Sequence, residues 1–150
     1  MNQTRYVEAP QEWDGDGLGL FLAGGIRGCP DWQAQATNLL ADTDLVLLNP
    51  RRASFPIHDP SAAYEQIDWE YRHLRMATTR LFWFPAESIC PIVLFELGAW
   101  TRTLEPLFVA THPSYLRRQD VVIQTGLARP DVAVLDSLDA LCEQVRYWAR

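Results

Sequence analysis

The sequence is poor in the features that mark several large protein classes. It has only three cysteines, Cys29, Cys90 and Cys142. They are odd in number and far apart, so they give no disulfide framework and suit a reduced, cytoplasmic protein. The chain opens on the polar run Met1-Asn2-Gln3-Thr4-Arg5 instead of a basic-then-apolar signal peptide. No apolar run approaches the roughly 18 to 20 residues that a membrane-spanning helix needs. Cations are outnumbered, and a net charge of −6 leaves no basic stripe to displace counterions from a nucleic-acid backbone. Solenoid-period repeats and low-complexity tracts are missing as well. A soluble protein with a small-molecule ligand is the expectation, with neither a nucleic-acid polymer nor a membrane as partner.

Metal ligation finds little support. His58, His73 and His112 have no ligand spacing with the cysteines and read as surface or loop residues. The run Asp14-Gly15-Asp16-Gly17 lacks the further ligands and closing Glu of an EF-hand, so it reads as a turn. No metal and no cofactor are expected.

What is present is a chain of domain size, 150 residues with 48% hydrophobic content, expected to form a single domain over 1–150. Five short apolar runs recur: Leu18–Ala23, Leu45–Leu48, Leu81–Phe84, Leu107–Ala110 and Val132–Leu135. They are near-continuous rather than alternating, as strands of a parallel sheet covered on both faces must be. Between them, Trp32–Leu40, Ala62–Thr79, Pro91–Thr103, Leu116–Leu127 and Leu138–Ala149 have helical spacing. The pattern predicts an α/β fold, a doubly wound five-stranded parallel sheet with helices on both faces, Rossmann- or flavodoxin-like. Met1–Gly17 is the least periodic part of the chain.

In such a sheet ligands bind outside the carboxyl ends of the strands. Those positions carry Gly24-Gly25-Ile26-Arg27-Gly28, Asn49-Pro50-Arg51-Arg52, Glu87-Ser88, Thr111-His112 and Asp136-Ser137. Gly24 and Gly25 let backbone approach a sugar or phosphate, but they match neither G-x-G-x-x-G nor a P-loop, and a tight turn without ligand explains them equally well. Arg27, Arg51 and Arg52 suit a 5′-phosphate or a solubilising loop. Among the aromatic residues, Trp69 and Trp83 are candidates for stacking on a base, against a general preference for core packing.

Two acids break their helical patterns. Glu65, Asp68, Arg72 and Arg75 share an ordinary salt-bridged face. Glu70 instead falls in register with Ile67, Leu74 and Ala77, the stripe expected to face the sheet. Glu96 lies within Ile92-Val93-Leu94-Phe95-Glu96-Leu97-Gly98-Ala99-Trp100, apolar on every side. Burial raises a carboxyl pKa, and such groups gather at functional sites. The alternative for Glu96 is an ion pair with an arginine such as Arg80 or Arg102, or a carboxylate that simply reaches solvent.

The segments Phe21-Leu22-Ala23-Gly24-Gly25, Gln66-Ile67-Asp68-Trp69-Glu70 and Phe95-Glu96-Leu97-Gly98-Ala99-Trp100 together resemble the nucleoside 2-deoxyribosyltransferase superfamily, particularly its deoxyribosyltransferase-like branch, from about Leu18 to Asp136. The resemblance implies that Glu96 is the nucleophile on the anomeric carbon. It implies that an acid on the preceding helix serves the leaving base, for which Glu70 is the best match although better-known members carry aspartate there. Gly25-Ile26-Arg27 replaces the family's first-loop residues, leaving sugar specificity open. Because family members complete each site with a neighbour's residues, it further implies a homo-oligomer, dimer or larger, with contacts near Tyr115–Asp120 and Gln124–Arg129. The expected ligand is a nucleoside or nucleotide bound by Gly24, Gly25, Arg27, Asn49, Arg51 and Trp69.

Two acids of separated pKa suit N-glycosidic cleavage, one stabilising or trapping an oxocarbenium-like centre and one protonating the departing base. Transfer of the deoxyribosyl group to a second base leads. N-glycohydrolysis of a nucleoside, nucleotide or NAD-type substrate by water is the near alternative, and a non-catalytic nucleotide-binding sensor is the alternative from another class.

Overall fold

The computed structural model describes residues 3–150. Among the described residues six parallel strands form one sheet: β1 (Arg5–Glu8), β2 (Leu18–Gly24), β3 (Leu45–Asn49), β4 (Thr79–Phe84), β5 (Leu107–Thr111) and β6 (Val134–Leu135). Their spatial order is β1-β3-β2-β4-β5-β6. Five helices accompany them, four joining successive strands from β2 onward and the last following β6: α1 (Trp32–Leu39), α2 (Pro60–Met76), α3 (Pro91–Trp100), α4 (Arg118–Ala128) and α5 (Leu138–Trp148). The α/β, doubly wound architecture is as expected from the apolar runs.

The strand count is corrected from five to six. The extra strand is an edge, β1, paired only with β3 from Arg5↔Val46 to Glu8↔Asn49. It is half exposed, so it carries no continuous apolar run to give it away. Strand β4 also starts earlier than its apolar run, because Thr79 and Arg80 are buried within it. Arg80 is tolerated there because its Nε donates to Leu74 O and its Nη2 to Ala77 O, Nη1 pairs with Glu105, and the guanidinium lies 3.5 Å over the Trp100 ring. A buried charge satisfied on every side stays in place.

Side chains alternate across the sheet. Phe21, Val46, Phe82 and Val109 join α2, α3 and α4 on one face, while Leu20, Leu47, Leu81 and Phe108 join α1 and α5 on the other. Local signals start the helices. Asp31 accepts from Ala34 N at the head of α1, Asp59 precedes Pro60 at the head of α2, and Ser137 accepts from Ala140 N at the head of α5.

The chain leaves β2 for β3 on one side and returns across it, through α2, to β4 on the other. This reversal puts the topological switch at the carboxyl ends of β2 and β4. Helix α2 and the following α3 lie side by side on the same face, and they carry Glu70 and Glu96.

His73 departs from its expected surface role. It is fully buried, accepts from Trp13 N through Nε2 and reaches Trp69 O through Nδ1. With Nε2 accepting, Nδ1 must donate, which fixes the neutral tautomer. Burial accordingly lowers its pKa.

Candidate active site

Glu70 on α2 and Glu96 on α3 are brought near enough that the charge of Glu70 acts on Glu96. Both are half-buried. The Glu96 carboxyl is pushed up to about 8, first by burial and then by the charge of Glu70, with Arg75 opposing. Glu70 is also raised by burial, and a hydrogen bond from Gln66 Nε2 at 3.1 Å works the other way.

Among the described residues Glu96 has no hydrogen bond and no ion pair within 4.0 Å. The pairing alternative fails for Arg80, which is committed to Glu105 and to backbone carbonyls. The buried stripe of α2 is Ala62, Trp69, His73 and Leu74, with Ile67 well exposed, so Glu70 lies at the margin of the core and not in its middle. That margin is within electrostatic reach of Glu96 on α3. Asp68 is on the salt-bridged side, 2.8 Å from Arg72, which also grips Glu12. Glu65 pairs with Arg52 instead of a helix neighbour.

The glycine pair has a packing explanation. A Cβ at Gly24 would come within 2.3 Å of the Trp32 ring and 2.6 Å of Trp83 O. At Gly25 it would come within 2.6 Å of Cys29 Sγ and 2.8 Å of Cys90 Sγ. Asn49 is buried, donating to the Tyr6 hydroxyl at 2.7 Å and accepting from Arg51 N. Arg51 ties down the loop after β2 through Pro30 O, Cys29 O and Gln33 Oε1. Trp69 is 1% exposed, stacked on His73 at 4.1 Å and bonded through Nε1 to Gln11 O, so its ring is part of the core. Arg27 is exposed on the loop after β2.

Residues following β4, β5 and β6 gather elsewhere. Glu87, His112, Asp136 and Ser137 line a hollow of about 360 Å³ on the α1/α5 side, beside Trp83. A second hollow of about 370 Å³ lies between α3 and α4, lined by Leu94, Gly98 and Gln124. Neither includes Glu70 or Glu96.

Sequence reasoning missed Gln66. It was legible only as part of a motif, yet it contacts Glu70 and the Pro50 carbonyl together. The i to i+4 spacing of Gln66 and Glu70 was the available signal.

The sequence profile of a family described as nucleoside 2-deoxyribosyltransferase like matches residues 18–115. The match runs from β2 past β5 and contains both acids. Comparison with curated proteins gives no match.

Proposed function

The chain belongs to the nucleoside 2-deoxyribosyltransferase-like family, and from that premise we propose that it cleaves the N-glycosidic bond of a nucleoside or nucleotide through Glu96 and Glu70. The observation that carries the reading is a half-buried, unpaired Glu96 beside a second carboxyl on the neighbouring helix. A structural acid at that position gains nothing from its lack of partners.

Glu96, pushed up to about 8 by burial and by the charge of Glu70, holds its proton in the resting pair. The productive form is the less populated one, reached when that proton moves to Glu70 and leaves the charge on Glu96. A Glu96 oxygen donates an electron pair to the anomeric carbon as the C–N bond breaks, and that bond's electron pair leaves with the base nitrogen. The nitrogen takes the proton from Glu70, whose O–H bonding pair stays behind as carboxylate. A second base, deprotonated by Glu70, then attacks the anomeric carbon, the bond between that carbon and Glu96 breaks with its electron pair returning to the Glu96 carboxylate, and the deoxyribosyl transfer is complete. Arg27, exposed on the loop after β2, is proposed to meet a charged end of the substrate.

The partial exposure of both acids in the single chain favours a second reading, hydrolysis by water, wherever no further subunit covers them. Incubation with a panel of nucleosides, nucleotides and NAD, with and without a free acceptor base, separates the outcomes. Base release that needs an acceptor supports transfer, and release without one supports hydrolysis. No release from any substrate overturns the catalytic reading in favour of a binding module.

A further inference from the structure

Gln66 occupies a narrow place in this arrangement. Its Nε2 carries two hydrogens and both are used, one toward Pro50 O at 2.6 Å and one toward Glu70 Oε1 at 3.1 Å. Its Oε1 is buried with no donor among the described residues. Turning the amide over would set Oε1 against the Pro50 carbonyl, two acceptors in contact, so the backbone after β3 fixes which end faces Glu70. A buried acceptor left unpaired is a cost to the fold, and what is obtained for it is a fixed N–H aimed at one carboxyl oxygen.

We propose that Gln66 is a positioning residue for the acid step: its locked N–H holds Glu70 Oε1, leaves Oε2 to carry the proton toward the leaving base, and stabilises the negative charge that Glu70 acquires on giving that proton up. The inference rests on the proposed roles of Glu70 and Glu96. During cleavage the pair's one charge moves from Glu96, as it bonds to the sugar, to Glu70, as it protonates the base. A donor already in place where charge develops needs no reorganisation during the reaction. Glu96 receives no such bond, so the N–H distinguishes two otherwise similar acids. The ionisable groups acting within the pair are Glu70, which raises Glu96, and Arg75, which lowers it.

The test replaces Gln66 by Met, which keeps the length and removes the N–H, with Gln66→Asn, whose shorter amide falls out of reach of Glu70, as a second variant. Two readouts are taken with melting curves alongside. Carbon NMR of the labelled Glu70 carboxyl is expected to show its titration moving to higher pH in both variants. Turnover is expected to fall roughly tenfold to a hundredfold for poor leaving bases, the range of a lost hydrogen bond to a charged group, and little for activated ones. An unmoved Glu70 titration overturns the proposal, as does equal slowing for every base. If wild-type protein releases no base at all, the functional reading fails by itself, while the NMR titration still decides whether Gln66 governs Glu70.

Discussion

Glu70 on α2 and Glu96 on α3 lie within electrostatic reach of each other, and the charge of Glu70 adds to burial in pushing the Glu96 carboxyl up to about 8. Glu96 therefore holds its proton into the neutral range beside the charge of Glu70, and the proposed reaction runs through the less populated form in which the proton has moved to Glu70. Each residue can be removed singly, with distinct consequences.

Replacing Glu96 by Gln or Ala is expected to lower kcat by about a thousandfold or more with little change in binding, because a nucleophile acts chiefly in the transition state. The stability effect has a definite sign. A carboxyl that holds its proton more tightly when folded makes the folded state bind more protons than the unfolded one, so stability falls as pH rises from the ordinary carboxylate range toward about 8. Wild-type protein should lose melting temperature over that window and Glu96→Gln should lose less, ending above wild type at pH 8. A variant that melts well below wild type at pH 8 identifies a structural ion-paired acid instead.

Glu70→Gln is expected to slow cleavage most for poor leaving bases, as loss of a proton donor does. It also removes one of the two causes of the Glu96 shift, so Glu96 should ionise at lower pH while burial keeps it above an ordinary carboxylate. The acid limb of kcat/KM measured with an activated nucleoside should move down in pH. An acid limb that stays in place separates the two carboxyls and removes the coupling.

The central sheet was legible because buried parallel strands leave continuous apolar runs, and Glu96 because an acid interrupts such a run on a helix. The edge strand β1 escaped because a strand half open to solvent has mixed residues. Trp69, Asn49 and Arg51 illustrate a different limit. Residue type and position at a strand end suggested ligand contacts, whereas their partners turn out to be Gln11, Tyr6 and the loop at Cys29–Pro30. Such partners are distant in sequence, so no local pattern reports them.

The glycines separate packing from function. Gly24→Ala drives a Cβ into the Trp32 ring and the Trp83 carbonyl, and is expected to cost about 1–3 kcal/mol or more in urea denaturation. Gly98, in the Glu-Leu-Gly segment, lies inside α3, and a Cβ added there would meet no atom of the described residues within 4 Å. Gly98→Ala should therefore stabilise the single chain by roughly 0.5–1 kcal/mol. A destabilised Gly98→Ala would show that something beyond this chain packs against the helix.

The face of α3 that bears Glu96 also bears exposed apolar residues, and this leads to the oligomer prediction. Phe95 is 78% exposed and Ile92 64%, and Ile67 on α2 and Leu127 on α4 are likewise open. Single exposed apolar side chains are ordinary, but several on adjacent helices around a pair of raised carboxyls are the pattern of a contact surface. A second copy seated there would cover Glu70 and Glu96, exclude water from them and favour transfer over hydrolysis. Light scattering is expected to give at least twice the chain mass of 17.1 kDa. Phe95→Glu, which introduces a charge on an exposed position and so spares the fold, should shift the mass toward the single chain. Base release should then proceed without an acceptor, or fail, while the melting curve of the dilute protein changes little. A wild-type protein of single-chain mass at working concentration, or a Phe95→Glu variant that keeps both the assembly and acceptor-dependent turnover, sinks the prediction.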